Sequence, residues 1–449
     1  MRLAWAILWM AAPLVAADSP ADQAAGAGPV ALSLKRAVEV ALAPDGNAGV
    51  KLAAEALRQA RERSNQARAA LLPDLGGAFA YQSRTENLSA QGLNKLDIPI
   101  PGFHFPQFVG PFTVMDARLS GSESVLDLSA IRRYQASKTG VAATRGDVET
   151  TGEQVAGMVA RAYLAAVKAD ADVETAEANV TLSEAVLQQA ENQKAAGTGT
   201  GIEITRAKVQ LANDRQHQLE AANARRAAYL RLLRSMNMRL DLEVQLTDKL
   251  AYTPVEAVTT EQAQAEALKS RPDFQAQQER ERAARYSASA AKMERLPTVA
   301  AFGDYGSSGT GMENALPTRT YGVSVRVPVF DGGRMDSERQ ESYSEYRAEQ
   351  VRTLDLKAQI SLDVRLALDA MKSAEDQVRV AREGLDLAGN ELAQARRRYA
   401  AGVTNSIEVT DAQTRLERAR DNQTAALYLY NVARIDLAQA MGKVRSTVQ

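Results

Sequence analysis

The sequence predicts an α+β chain with an internal duplication, in which each half carries a strand pair and a long helical hairpin. Three observations indicate this fold class. No proline lies between Pro111 and Pro254 or after Pro328, phenylalanine concentrates in two short regions, and several short motifs recur in the same order. Interior proline breaks helices, so the proline-free stretches permit very long ones. The 449 residues are 45% hydrophobic and 24% charged, which excludes a disordered chain.

The N-terminus has the pattern of an export signal. Arg2 precedes a mostly apolar stretch from Leu3 to Val15, and Val15-Ala16-Ala17 fits a small-residue cleavage site. A membrane anchor is the alternative, but the apolar stretch is too short to span a bilayer comfortably. We therefore expect residues 1–17 to be a cleaved signal peptide and residues 18–30 a flexible lead-in. The chain has no Cys, so disulfides and lipid attachment through an N-terminal Cys are excluded.

Four long helices are predicted in two hairpins, 131–195 with 203–245 and 334–400 with 406–441. These stretches are rich in Ala, Glu, Gln, Arg and Leu, which are strong helix formers. A helix over 131–195 would be about 100 Å long and would need a coiled-coil-like partner. The last helix shows a heptad seam, although an ordinary coiled-coil rod would share it. The seam residues are Val409, Ala412, Leu416, Ala419, Gln423, Ala426, Tyr430, Ala433, Leu437 and Ala440.

Four strands are predicted at about 75–86, 112–126, 297–306 and 319–330. Apolar and polar residues alternate within them with period two. For example, Tyr321, Val323 and Val325 alternate with Gly322, Ser324 and Arg326. A soluble sandwich and a membrane barrel both fit this pattern. Four strands cannot close a barrel, and open edges are costly in lipid, so a membrane location would require several chains to share one barrel.

The two halves are expected to be structural repeats, 31–245 and 263–442, joined by a linker at 246–262 and followed by a loose tail at 443–449. Gly197 to Glu203 resembles Gly402 to Glu408, and Val125-Leu126-Asp127 resembles Val329-Phe330-Asp331. The first strand pair has a longer loop, around residues 88–111, which explains why the spacing between equivalent motifs varies. Duplication of a mixed helix-strand unit is a strong signal of repeat architecture.

This organisation resembles the TolC-like outer membrane factor family over nearly all of residues 31–442. The resemblance rests on Leu-Pro before each strand pair, on the glycine-containing hairpin tips followed by Ile-Glu, and on Pro328-Val329-Phe330-Asp331-Gly332-Gly333 at a strand-to-helix exit. It implies a homotrimer with one shared transmembrane β-barrel in the outer membrane lipid and a long periplasmic α-helical barrel. It further implies an exit duct for a tripartite efflux pump or a type I secretion system. The implied partners are a periplasmic adaptor and an inner-membrane transporter of the RND, ABC or MFS type.

The resemblance also implies functional residues at the hairpin tips, 196–203 and 401–408. Glu408 and Asp411 occupy the positions of the family's acidic constriction ring, although helix starts favour acidic residues for dipole reasons alone. Tyr399 and Glu203 match the contacts that lock the family's closed tip. Thr404 stands where the family has an arginine. Arg206 is a candidate substitute, because the repeat places it opposite the equivalent of Asp411, and a plain surface arginine is the alternative. Residues expected to contact the adaptor are Gly197, Gly199, Gly201 and Gly402.

Asp116, Arg118 and Arg326 are candidates for the barrel lumen, with ordinary surface exposure as the alternative. No catalytic, cofactor or metal site is expected. The only histidines, His104 and His217, have no visible catalytic partners, and residues 197–201 lack the Lys-Ser/Thr of a phosphate-binding loop. A net charge of −1 gives no basic footprint for nucleic acid. The alternative function is a secreted or periplasmic coiled-coil adaptor or scaffold without a pore.

Overall fold

The computed structural model describes residues 30–92, 101, 106–254, 258–404 and 406–448. The predicted signal peptide, all of the lead-in except Val30, and His104 lie outside the described residues. In chain order the elements are β1 Val30–Leu32, α1 Leu34–Leu42, α2 Ala48–Ala69, β2 Asp74–Asn87, β3 Phe108–Leu126, α3 Leu128–Ala195, α4 Gly201–Ser235, β4 Val244–Leu246, α5 Thr260–Ser270, α6 Pro272–Met293, β5 Thr298–Gly309, β6 Leu316–Arg326, α7 Arg334–Ala400, α8 Ser406–Ala440 and α9 Val444–Val448.

Two long hairpins dominate the fold: α3 with α4, and α7 with α8. The two hairpins match each other closely in helix lengths. The first has helices of 68 and 35 residues, and the second has helices of 67 and 35 residues. Both tips begin with a glycine in the left-handed region, Gly197 at φ 76° and Gly402 at φ 69°. Thr198 N donates to Gln193 O and Val403 N donates to Arg398 O, which is the Schellman pattern at a helix end. Glycine is needed there because a Cβ disfavours positive φ.

The prediction of a helix over 203–245 is wrong at its C-terminal end. The helix α4 ends at Ser235, and Asn237 adopts φ 58° beyond it. Met238 N donates to Leu233 O at 2.9 Å, so this end also has the Schellman pattern, with asparagine in the place of glycine. Residues Val244–Leu246 then form β4, which pairs in parallel with β1.

The expectation of a loose tail at 443–449 is also wrong. Val444–Val448 form the short helix α9, and Val444 is fully buried. The backbone N–H of Val444 donates to Glu153 Oε2 at 2.7 Å, and Arg445 Nε lies 2.8 Å from Glu153 Oε1. Burial and this ion pair attach the tail to α3. The predicted linker 246–262 is shortened in the same way, because α5 begins at Thr260.

The four-stranded sheet is antiparallel, in the order β2-β3-β5-β6. Its last strand ends at Arg326 and not at residue 330 as predicted. The register places one set of alternating residues on a mostly apolar face that also carries Arg319. Its exposed apolar residues are Leu75, Phe79, Tyr81, Leu119, Tyr305, Tyr321, Val323 and Val325, and Met115 on the same face is partly buried. The opposite face is mostly polar and carries Asp116, Arg118, Ser120, Asp304, Thr318, Thr320, Ser324 and Arg326. Consecutive strand residues point to opposite faces, so this separation follows directly from the sequence alternation.

Over the described parts of the chain, the hydrophobic core forms three clusters along the helices. One surrounds Tyr163 of α3, one contains Phe274 of α6 and Tyr430 of α8, and one lies near the hairpin tips around Leu392 and Val409. The predicted heptad seam of α8 is confirmed as a packing surface. Eight of its ten positions are buried, and Ala419 and Gln423 are partly buried. Among the described residues, no helix is both long enough and apolar enough to cross a bilayer.

Candidate functional site

Glu408 lies in the first turn of α8, where a carboxylate interacts favourably with the helix dipole. Arg398 Nη1 near the end of α7 lies 3.2 Å from Glu408 Oε1, and Thr404 Oγ1 donates to Glu408 Oε2. The second hairpin tip is therefore closed by its own residues across the turn. The sequence interpretation missed Arg398. The signal that could have found it is hairpin symmetry, since residues at equal distances from an antiparallel tip face each other.

Asp411 lies one turn further along α8, beside a cleft between α8 and α4. This cleft brings Arg206 of the first hairpin to the same site as Asp411 of the second. Its walls also include Thr205, Val209, Gln210, Ile407 and Thr410. Both tips thus contribute a charged side chain to one location.

Glu203 lies in the first turn of α4 and caps the helix. The backbone N–H of Thr200 donates to Glu203 Oε2 at 2.9 Å, which is one half of a capping box. This contact fixes the carboxylate at the helix N-terminus, where the dipole stabilises negative charge.

Tyr399 is 4% exposed and packs in the tip cluster with Val186, Leu392 and Val409. Its hydroxyl forms no hydrogen bond within the described residues. Burial raises the pKa of Tyr399, and the nearby charge of Glu203 raises it further. The structure therefore places Tyr399 within electrostatic reach of Glu203, but the two side chains are not hydrogen-bonded.

We expect Tyr399→Phe to leave the closed tip as stable as before or more stable by about 1 kcal/mol. The substitution keeps the packed ring and removes a buried hydroxyl that has no partner. The thermal midpoint of the detergent-solubilised protein would check this. A marked fall in the midpoint would instead show that the Tyr399 hydroxyl stabilises the tip. Tyr343→Phe, at a 54% exposed tyrosine of α7, is the matched control.

The tip glycines differ in their surroundings. A side chain at Gly197 or Gly402 would meet no neighbouring atom within 4 Å, although the positive φ would strain it. A Cβ at Gly199 would approach the backbone N of Lys194 to 3.0 Å. Gly201 begins α4 and is exposed. The tip surface is thus small and open, with its shape set by the turn.

The polar face of the sheet contains an ionic network centred on Arg118. Arg118 Nη2 lies 3.0 Å from Asp116 Oδ2, and Arg118 Nη1 forms a close ion pair with Asp304. Arg118 Nη2 also donates to Thr318 Oγ1 at 3.3 Å. Arg326 lies on the same face but at the helical end of β6, away from the network. The sequence interpretation missed Asp304, which only the register between β3 and β5 brings to Arg118.

His217 is exposed on α4. Within the described part of the chain, no three His, Cys, Asp or Glu side chains are grouped to hold a metal ion.

Comparison with known proteins agrees with this architecture. Residues 264–443 match the family model for outer membrane efflux protein. The pyoverdine export outer membrane protein OpmQ of Pseudomonas putida is 26% identical over 409 residues, covering 87% of this chain and 82% of that protein. The alkaline protease secretion protein AprF of Pseudomonas aeruginosa is 22% identical, covering 70% and 67%.

A crystal structure of a membrane protein from Pseudomonas aeruginosa has the same fold, with a TM-score of 0.79 at 18% identity. It covers 91% of this chain and 93% of its own. Together with the family match, this likeness confirms the resemblance reached from the sequence, including the combination of long helices with a small sheet.

Proposed function

We propose that this chain belongs to the TolC-like outer membrane factor family and forms the outer-membrane exit duct of an efflux pump or a type I secretion system. Members of this family are channels and the chain is not an enzyme. Relatives named for pyoverdine export and for alkaline protease secretion support both kinds of duct. Transport energy would come from an inner-membrane transporter of the RND, ABC or MFS type, and a periplasmic adaptor would contact the hairpin tips.

The observation that carries the proposal is the open, two-faced sheet. Within the described residues, β2 and β6 each pair with only one strand, so each keeps an unpaired edge. The apolar face is exposed, with Phe79 at 66%, Leu119 at 58% and Tyr321 at 81%. An unpaired backbone group in hydrocarbon costs several kcal/mol, so the edges would have to pair with other copies. Three copies of four strands give a closed barrel of twelve, with the Arg118 network facing its lumen.

The proposed gate is the tip of the second hairpin. In a trimer, Glu408 and Asp411 would contribute six carboxylates around the axis. Such a ring attracts cations and repels anions. The ion pair of Glu408 with Arg398 and the Arg206 side of the cleft would hold the closed arrangement, and each exposed pair contributes only ~0–1 kcal/mol. A gate held by several weak contacts can be opened by partner binding.

The proposal is tested on detergent-purified protein. We expect a heat-sensitive trimer band in gel electrophoresis, resistance of the membrane fraction to alkaline carbonate, and ion conductance in planar bilayers. A protein that remains well folded as single copies and washes off membranes would overturn the proposal. That outcome would favour the alternative, a periplasmic coiled-coil scaffold without a pore.

The gate assignment gives a further expected result. Asp411→Asn combined with Glu408→Gln should lower the preference of the channel for cations severalfold, because the ring loses its charge. The reversal potential in a salt gradient measures this preference. Glu391→Gln is the matched control, because Glu391 is also an exposed carboxylate of the second hairpin and is paired with Arg415. Unchanged selectivity in the double variant would remove the ring from the gate.

A further inference from the structure

A buried polar layer lies about three helical turns from the tips, where α8 contacts α3 and α4. It consists of the buried residues Ser183, Asp214 and Gln413 and the half-buried Glu417. Asp214 is 2% exposed and accepts hydrogen bonds from Ser183 Oγ and, at 2.9 Å, from Gln210 Nε2. The layer adjoins the apolar tip cluster that contains Val186 and Leu416.

Two side chains of this layer each have one buried polar atom without a hydrogen-bond partner within the described residues. Gln413 is 1% exposed, and its Nε2 atom has no acceptor. Glu417 follows one turn later on the same helix face, and its buried Oε1 atom has no donor. A buried carboxylate oxygen without a donor is costly, and it is costlier when the group is ionised.

The charges around Glu417 add to this cost. Asp214 from α4 and Asp421 from α8 are both acidic, and only Arg420 opposes them. The guanidinium of Arg420 is directed to Asn179 of α3, with Nη1 at 2.9 Å from Oδ1. Burial is the largest cause of a rise in the pKa of Glu417 to about 7, followed by Asp214 and Asp421.

Charged residues of the neighbouring helices surround this layer. Asp172 of α3 raises the pKa of Asp421, whereas Lys168 of α3 and His217 of α4 lower it. Glu184 of α3 is paired with Arg215. On α7, Glu391 is paired with Arg415. The acidic character of the layer itself is therefore not neutralised by the ion pairs at its rim.

We propose that the Glu417 carboxyl group forms a pH-dependent contact between the two hairpins. The contact is tight when the carboxyl is protonated and loosens when the proton is released to solvent. The protonated carboxyl can donate a hydrogen bond and carries no charge beside Asp214. The ionised carboxyl repels Asp214 and Asp421, so it favours a state in which α8 separates from α4 and Glu417 is hydrated. Loosening here would free the second hairpin to move outward. That consequence for the duct rests on the proposed function, whereas the contact itself lies within one chain.

The way in which the strength of this contact changes with pH follows from the raised pKa of Glu417. In the separated state Glu417 would titrate near its ordinary value of 4.5. Below that value the carboxyl is protonated in both states, and the packed contact has its full strength. As pH rises from 4.5 towards 7, the separated state loses its proton first, so the packed contact weakens progressively and then remains weak.

Hydrogen–deuterium exchange of the purified protein tests the contact without requiring a channel. After correction for intrinsic exchange rates, protection of segments 207–220 and 410–423 should fall about tenfold between about pH 5.5 and about pH 8.5. This expectation is smaller than the full pKa shift would give, because the carboxyl is only partly buried. Glu417→Gln should keep protection at the high level across this range. Glu220→Gln is the control, because Glu220 is exposed on α4, where it accepts a hydrogen bond from Gln216 Nε2. The Glu220→Gln variant should show the same pH dependence of protection as the parent protein.

A second variant keeps the test decisive if Glu417→Gln fails to fold. Asp214→Asn removes the charge opposite Glu417 and should move the midpoint of the protection change to lower pH. Protection that does not depend on pH in the parent, or an unchanged profile in Glu417→Gln, would overturn the inference. Conductance recorded over the same pH range separates the two proposals. Absence of conductance in every variant would count against the duct, and the exchange profile would still decide the role of Glu417.

Discussion

Leu119→Arg in β3 is expected to prevent stable insertion of the sheet, whereas Ser120→Arg beside it should be tolerated. Leu119 lies on the apolar face, 58% exposed, with Gly77 and Tyr305 as its register partners. An arginine on the lipid face near the bilayer midplane costs about 2–4 kcal/mol. Every copy in a homotrimer would carry the same cost. The expected result is a large loss of the heat-sensitive trimer and of protein in the outer-membrane fraction.

Ser120→Arg is a closely matched control, because it places the same side chain one residue away on the same strand. Ser120 lies on the polar face and pairs in register with Asp304. An arginine there would find a carboxylate and the lumen water in place of lipid. If both variants fail equally, the loss reflects general damage to the strand. If Leu119→Arg assembles and Ser120→Arg does not, the assignment of the two faces is reversed.

The large elements were predictable from the sequence because their signals are local. Proline-free, alanine-rich stretches mark the helices, and alternation with period two marks the strands. The tip glycines at Gly197 and Gly402 stop the helices where the sequence predicts turns. The end of α4 was missed because Asn237 takes the left-handed position that glycine takes elsewhere. Asparagine occurs within helices too, so its presence alone gives a weaker stop signal.

The missed site residues depend on long-range pairing. Asp304 meets Arg118 only through the register of β3 with β5, although 186 positions separate them in the chain. The order of the strands is visible in the sequence, but a shift of register would bring another residue opposite Arg118. The same applies to Glu417, whose surroundings come from α4, and to Arg445, which attaches the tail to Glu153. Charged residues on long helices all look alike in sequence until their neighbours are known.

Tyr163→Ala is expected to lower the stability of the helical part of each chain by about 3–5 kcal/mol, the range for large aromatic truncations in a core. Tyr163 of α3 is completely buried in the cluster that joins α1, α3 and α4. Its hydroxyl oxygen lies 2.9 Å from Leu32 O and 2.8 Å from Asp248 Oδ2. The same Asp248 carboxylate accepts the backbone N–H of Leu34 at 2.7 Å. Tyr163 therefore connects α3 to β1 and to the segment after β4.

Tyr163→Phe separates packing from hydrogen bonding. It should cost about 1–3 kcal/mol, because the ring remains while the hydrogen bonds of its hydroxyl are lost. Asp248 Oδ2 keeps the backbone N–H of Leu34 as a donor, and the Leu32 carbonyl keeps that of Thr247. Thermal unfolding followed by helical circular dichroism in detergent measures both variants, and Tyr343→Phe at the exposed surface should stay within about 0.5 kcal/mol of the parent. If Tyr163→Phe is neutral, solvent or a neighbour replaces the hydroxyl, and the connection through Asp248 is not structural.

The pH dependence of the same site provides an independent check. Burial and the adjacent Asp248 raise the pKa of Tyr163 well above its usual value. A raised tyrosine pKa means that the folded chain holds its proton more tightly than the unfolded chain does. The stabilisation is therefore complete below about pH 10, where unfolded tyrosine titrates, and decreases as the pH rises further. Tyr163→Phe should lose part of this alkaline sensitivity. A second part belongs to Tyr229, which is partly buried beside Asp170 with its hydroxyl 2.7 Å from Oδ2. The pKa values of Tyr252, Tyr399 and Tyr430 are raised as well, so these tyrosines should keep the rest of the alkaline limb. Removing the hydroxyls of Tyr163 and Tyr229 together should reduce the limb further, and an unchanged limb would place the titrating groups elsewhere in the chain.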